Sequence, residues 1–497
     1  MKNRIHLFEL ESYKSATQEQ RDKMRTSAEN YFDLEHLPSE GIRTVFETFI
    51  WERGKSLQPA SLCSEVLYYN NIRQFLIDRN IKELHPDNKE HILHQIRIWM
   101  MENGYKLSAE KYRPEYDKTG YETPGMVNYL KKVFDFLEKD DDRPEIEKDV
   151  WELSKLELPL RTNPINRTKS VSFKHIPQIE IREEVKKAIY LELKYEAVST
   201  IGTHFTAINR FTRYLNRVFP NISSLLELER EHIEAYLIYL NTEANERKNF
   251  RSDLFSLRSV IEDVGSIYGQ NSLHELFLSD DFPISPKYNF RFYSDEEIKR
   301  LNEHILKMDE QISRALIIHQ LLGTRISDTL TLKTDCLSKR ENRYFVRIEQ
   351  VKSITYEKAV SDEVAQLIMK SLEYTKEHYG ATQYIFVSKK DPTQPYQYAM
   401  IQSRIMRMIR QEDIRDDNGE YIKFGTHIFR HCYGKKLTEM HVEDWMIARL
   451  LGHKTMQSVQ YYRKIGNKLM AEETRKSREK MDLILMDIIE GWDGYEI

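Results

Sequence analysis

Residues 315–360 read ALIIHQLLGTRISDTLTLKTDCLSKRENRYFVRIEQVKSITYEKAV, and within this stretch the hydrophobic period changes. Ala315–Leu322 is apolar at helical spacing and stops at Gly323-Thr324, whereas Arg343–Val351 and Ile354–Val360 alternate in a strand-like way. A period near 3.6 buries one face of a helix, and a period of two buries one face of a strand. Two alternating runs around a Lys352-Ser353 turn therefore predict an antiparallel hairpin. The fold class this implies is mainly α, with one small antiparallel sheet in the last third of the chain.

Working outward, Ser294-Asp295-Glu296-Glu297 has the Ser-x-x-Glu form of a capping box and precedes Ile298, Leu301 and Ile305, so a helix starts there. Two stretches break the helical periodicity. One runs from Lys139-Asp140-Asp141-Asp142 through Pro159 and Pro164 to Pro177, and includes the basic region Arg161–Lys174; the other is Ser279–Tyr293, with Pro283 and Pro286. They predict an N-terminal helical domain at 1–155, a linker at 156–175, a second helical unit at 176–280, a linker at 281–293 and a third unit at 294–497. A prior of about 150 residues per domain also suggests roughly three for a chain of 497. NIRQFLIDR (71–79) followed by HILHQIRIWM (91–100) echoes INRFTRYLNR (208–217) followed by HIEAYLIYL (232–240), which raises a duplication of one helical unit in the other.

The chain holds 75 Lys+Arg against 79 Asp+Glu, so its net charge of −4 does not announce a nucleic-acid partner. The distribution does. Tyr421–Lys480 carries 13 Lys+Arg against 6 Asp+Glu, and Arg247, Lys248, Arg251 and Arg258 form a second basic cluster, a candidate DNA contact or a solvated helix face. Beyond Lys480 the sign reverses: MDLILMDIIEGWDGYEI has acids and no bases, with Leu483, Ile484, Ile488 and Trp492 available to dock on its own domain or on a neighbouring protomer. Cys63, Cys336 and Cys432 stand alone without a Cys or His partner at ligand spacing, which argues against a zinc site and a disulfide framework. No window reaches the ~18 apolar residues of a membrane span, and the first residues carry no apolar leader, so a soluble cytoplasmic protein is expected.

The residues with chemistry come in the order Arg325, Lys352, His427, Arg430, His453, Tyr462. Taken singly, each has a bland reading: an arginine after a Gly-Thr turn is usually a surface or cap residue, a histidine at a helix end a satisfied polar group, and a tyrosine in the pair Tyr461-Tyr462 a core residue. Taken together, they are the types needed for a phenol to attack a phosphodiester without a metal ion. A phenol with a pKa near 10 is ionised about once in a thousand at pH 7, a deficit of roughly 4 kcal/mol, so cationic groups must stabilise the attack. Two guanidinium forks suit that task because they bind phosphate oxygens in pairs and never lose charge.

The contexts are Gly323-Thr324-Arg325-Ile326-Ser327-Asp328, Thr426-His427-Ile428-Phe429-Arg430-His431 and Leu450-Leu451-Gly452-His453, with Tyr462 nine residues beyond His453. Here the chain resembles the tyrosine recombinases, or phage-type integrases, of the kind carried by transposons and other mobile elements. The resemblance covers 294–480 closely and 176–280 more loosely, as that family's helical, SAM-like core-binding domain. It implies a site-specific recombinase that cleaves and rejoins double-stranded DNA through a 3′-phosphotyrosyl link, with no metal or other cofactor. By the same resemblance Arg325 and Arg430 clamp the phosphate, His427 and His453 assist it and move protons, Lys352 protonates the leaving 5′ oxygen, and Tyr462 attacks. Lys358 is a rival to Lys352, and Tyr461 to Tyr462; adjacent helical residues diverge by about 100°, so only one tyrosine can face the phosphate. After Tyr462 the sequence departs from the family pattern, with Arg463-Lys464 where a histidine or similar residue often follows. The partners implied are DNA, a homotetramer on two DNA sites, and accessory transposition proteins. The alternatives are a type IB topoisomerase and a catalytically silent DNA-binding accessory protein. Metal-dependent acidic transposases are disfavoured, because these boxes are basic and aromatic. Residues 1–155 lie outside the resemblance.

Overall fold

The chain divides into two units, Met1–Pro144 and Glu145–Ile497. The computed structural model describes residues 3–24, 27, 29–115, 118–138, 143–242, 250–284, 291–351, 354–453, 455–457 and 459–460. In the first unit β1 (Arg4–His6) pairs antiparallel with β2 (Tyr31–Asp33), and the short helices α1 (Glu11–Lys14) and α2 (Gln18–Asp22) lie between them in the chain. The core comes from α3 (Glu40–Gly54), α4 (Pro59–Asp78), α5 (Lys89–Glu102) and α6 (Gly125–Leu137), while β3 (Ala109–Arg113) and β4 (Lys118–Glu122) form an exposed hairpin between α5 and α6. Helix α4 starts cleanly because Pro59 occupies its first turn, where no N–H is needed. Its Tyr69 is fully buried edge-on to Phe32 and Phe46, and the hydroxyl donates to the Asp33 carbonyl at 2.7 Å. A buried phenol thus keeps its polar end satisfied.

In the second unit β5 (Val150–Glu152) pairs antiparallel with β6 (Ser170–Ser172), followed by α7 (Ile179–Glu192), α8 (Val198–Val218), α9 (Arg230–Thr242) and α10 (Arg251–Tyr268). Trp151, Leu156, Val171 and Phe173 are buried in one core with residues of these four helices. The stretch read as a linker at 156–175 therefore carries core residues, because its apolar side chains are isolated in sequence and only the β5–β6 pairing aligns them. Both helix pairs of the sequence echo fall on consecutive helices, α4 and α5 in one unit and α8 and α9 in the other.

The remaining elements are α11 (Asp295–Ile305), α12 (Glu310–Leu322), α13 (Ile326–Leu330), β7 (Leu337–Arg340), β8 (Arg343–Glu349), β9 (Thr355–Val360), α14 (Asp362–Tyr379), α15 (Tyr398–Gln411), α16 (Thr426–Glu439) and α17 (Asp444–Leu451); those from α11 to α16 build a second core, while Ile447, Ala448 and Leu451 of α17 form a small separate cluster with Val459. The capping box at α11 is formed, with Ser294 Oγ accepting from Glu297 N and Glu297 Oε2 from Ser294 N, each at 3.1 Å. The predicted β8–β9 hairpin is present, and β7 adds a third antiparallel strand on the other side of β8. That strand escapes a sequence reading because its turn, Glu341-Asn342, adopts φ of 46° and 64° without the glycine that usually marks a type I′ turn. Among the described residues, no helix is long and apolar enough to cross a membrane.

Candidate active site

Two helix ends set the site. Helix α12 stops at Gly323, whose φ of 61° is left-handed, and α17 stops at Gly452, with φ of 62°. At the second, Gly452 N–H and His453 N–H turn back onto the last helical carbonyls, His453 N reaching Ala448 O at 2.8 Å. A left-handed glycine reverses the chain and delivers the residues that follow it to the helix end. Those residues are Arg325 in the first case and His453 in the second.

Arg430, on α16, joins the two ends. Its side chain is buried, with Nη1 donating to Gly323 O at 2.9 Å and Nη2 to Leu451 O at 2.7 Å. A planar guanidinium can hold two carbonyls in a fixed relation, and a lysine cannot. Arg325 Nη1 stands 3.7 Å from Asp328 Oδ2, whose other oxygen accepts from Ser327 Oγ at 3.1 Å and from Val351 N at 3.3 Å. Burial pushes the Asp328 carboxyl up from its usual range, against the pull of Arg325.

The stem of the β8–β9 hairpin is stitched to both ends. Val351 N binds Asp328 beside Arg325, and Gln350 Nε2 donates to Gly452 O beside His453 at 3.1 Å. On β9, Tyr356 and Lys358 point inward on alternate positions: Tyr356 packs where a Cβ on Gly452 would have to go, and Lys358 Nζ donates to Leu322 O at 2.7 Å and to Tyr433 OH at 2.6 Å.

Burial, followed by the charges of Arg430, Arg325 and His431, lowers His453 to about 4, so its imidazole is neutral at physiological pH. His431 is lowered to about 4 by burial, then by His427 and Arg430. His319 is fully buried and also held to about 4; its Nε2 meets the Thr426 carbonyl at 3.0 Å and so carries the proton, while Nδ1 accepts from the Thr329 hydroxyl at 3.2 Å. His427 lies exposed on α16, its ring 6.1 Å from that of His431. Arg325 Nη1, Asp328 Oδ2, Tyr356 OH and His453 Nδ1 are buried polar atoms of this site that make no hydrogen bond to any described residue. The structure thus gathers Arg325, Arg430 and His453, and sets His427 at the solvent edge of the same helix as Arg430. Lys352, Tyr461 and Tyr462 lie outside the described residues.

Residues 291–468 match the phage integrase family, a stretch that contains all six predicted positions. That match covers the segment that holds the site and leaves the rest of the chain outside it. Transposase B from transposon Tn554 of Staphylococcus aureus (strain Mu50 / ATCC 700699) is 26% identical over 407 residues, covering 79% of this chain and 63% of its own length. This chain therefore spans less than two thirds of that relative. Tyrosine recombinase XerH of Campylobacter jejuni is 20% identical over 308 residues, 59% of this chain and 83% of that protein. Among solved structures, the Tn1549 transposon integrase in complex with circular intermediate DNA shares 14% identity, with 56% of this chain and 94% of that one covered and a TM-score of 0.42.

The site residues that stand outside the quoted sequence boxes include His319, Gln350, Tyr356, Lys358 and Tyr433. Only Lys358 had a sequence signal, its closeness to Lys352. In the helical core before the integrase segment, Arg251 and Arg258 have partners inside the protein: Arg251 donates to Pro283 O at 2.6 Å, and Arg258 to Glu262 at 2.6 Å. Arg247 and Lys248 lie outside the described residues. Helix α8 offers another basic face, since its 21 residues contain no Asp or Glu and present exposed Arg213 and Arg217.

Proposed function

We propose that the protein is a site-specific DNA recombinase of a mobile element, cutting and rejoining strands through a 3′-phosphotyrosyl intermediate. In the first step the Tyr462 oxygen attacks the scissile phosphorus and its proton passes to an imidazole. The bond to the 5′ oxygen breaks, and Lys352 protonates that oxygen. Attack by the 5′ hydroxyl of another strand reverses these events, so the phosphodiester energy is kept and neither ATP nor a metal is called on. Arg325 and Arg430 hold the phosphate throughout, and the neutral His453 serves as acceptor. A bound phosphate offsets the two arginine charges that depress His453 and so raises its basicity when the proton must move.

The observation that carries this reading is the convergence of Arg325, Arg430 and His453 on one spot, where Arg325 Nη1 and His453 Nδ1 are buried polar atoms without a hydrogen-bond partner among the described residues. A phosphate supplies acceptors for such donors. Two DNA sites held by a homotetramer, with accessory transposition proteins and the Met1–Pro144 unit helping to choose them, complete the proposal; the acid-free helix α8, in a helical core suited to DNA binding, offers a surface for the DNA backbone.

The test is a duplex nicked near the cleavage site, incubated with purified protein in EDTA. A covalent protein–DNA adduct is expected, abolished by Tyr462→Phe and retained by Tyr461→Phe. A need for Mg²⁺, or an adduct that survives Tyr462→Phe, would sink the mechanism. DNA binding with no adduct under any condition would support the accessory-protein alternative, and steady relaxation of supercoils by a monomer the topoisomerase one.

A further inference from the structure

Lys358 is a buried cation that the proposed chemistry does not use. It sits on the inward face of β9, two residues after Tyr356, and only 6% of its surface is exposed. Its ammonium donates to the last carbonyl of α12, Leu322 O, and to the Tyr433 hydroxyl, and it lies 4.2 Å from the centre of the Tyr433 ring. That ring in turn covers Gly323 so closely that a Cβ there would run into it. The next carbonyl, Gly323 O, is held by Arg430. Successive carbonyls at one helix end are thus tied to a strand and to a second helix, immediately before Arg325. Burial and the Arg430 charge bring the Lys358 ammonium down to about 7, so it is held there at an electrostatic cost that a surface lysine would not bear.

We propose that Lys358 is a positioning residue for strand cleavage: with Tyr433 it fixes the Leu322–Gly323 corner and thereby the station of Arg325 against the phosphate. The proposal rests on the recombinase reading above. It assigns Lys358 no contact with DNA or with the leaving oxygen, which separates its role from that of Lys352. A displacement of about 1 Å in a phosphate-binding group can cost on the order of 100-fold in rate while leaving affinity nearly intact.

The experiment measures single-turnover adduct formation by the full chain on the nicked duplex, alongside DNA affinity, for Lys358→Met, Lys358→Arg and Tyr433→Phe. Methionine keeps the packing and removes the donor; the expected result is a rate about 10- to 100-fold lower with unchanged affinity. Arginine keeps a cationic donor and should recover part of the loss. Tyr433→Phe keeps the ring over Gly323 and removes one acceptor, and a smaller fall in rate is expected. Wild-type rates in Lys358→Met overturn the positioning role alone, as does equal loss of rate and affinity in both Lys358→Met and Tyr433→Phe, which indicates general unfolding. If Lys358→Met does not fold, an unchanged rate in Tyr433→Phe overturns it. A wild-type protein that forms no adduct overturns the recombinase reading as well.

Discussion

Arg430 donates from Nη1 to the carbonyl of Gly323, 107 residues earlier in the chain, while its Nη2 holds Leu451 O. One guanidinium therefore sets the distance between the two turns that carry Arg325 and His453. The proposed phosphate clamp is also the brace of the site.

Replacing Arg430 with lysine should lower cleavage by about 100- to 1000-fold, the typical loss for a preorganised donor to a reacting oxyanion. Lysine keeps the charge and cannot span both carbonyls. Single-turnover adduct formation measures the effect; a rate close to wild type would mean that charge alone suffices.

Gly323→Ala should destabilise more than Gly269→Ala. Both glycines end helices with left-handed φ, 61° and 71°, so each alanine carries a strain of about 1–2 kcal/mol. Nothing lies within 4 Å of a Cβ at Gly269, whereas Tyr433 blocks one at Gly323. Denaturant unfolding of the two variants checks the order, and equal losses would show that the Tyr433 ring yields freely.

Acid should weaken the unit that holds His319. The unfolded chain takes up a proton at this histidine below about 6.5, the folded one only near 4, so stability present above pH 6.5 is lost as the pH falls toward 4. The shift amounts to about 2 kcal/mol by pH 5 from this one buried group. His453 and His431, less deeply buried, act in the same direction. Unfolding followed across this range should show a flatter pH dependence in His319→Gln, and an unchanged slope would remove His319 as the cause.

Alanine at Arg213 or Arg217 should weaken DNA binding across sequences and reduce the slope of log affinity against log salt by about 1 for each phosphate no longer neutralised. Arg258→Ala should do less, since its guanidinium pairs with Glu262. Fluorescence titration at several salt concentrations checks this; the reverse ranking would move the DNA face from α8 to α10.

Much of this protein is written locally. The period change at 315–360, the Ser294–Glu297 capping box and the glycines after Leu322 and Leu451 each depend on residues a few positions apart, so helix ends, the hairpin and the boxes around Arg325, Arg430 and His453 can be read directly from sequence. Local sequence specifies which kinds of group are present and which turns present them. What those groups do for one another follows from packing: Arg430 braces Gly323 and Leu451, Lys358 faces Leu322 and Tyr433 inside the fold, Gln350 reaches Gly452, and Trp151 and Phe173 belong to the α7–α10 core. Periodicity reports which face of an element is buried. It carries no information on which distant carbonyl a buried cation will meet, because that is settled only when helices and strands remote in sequence pack and bring donors and acceptors within reach.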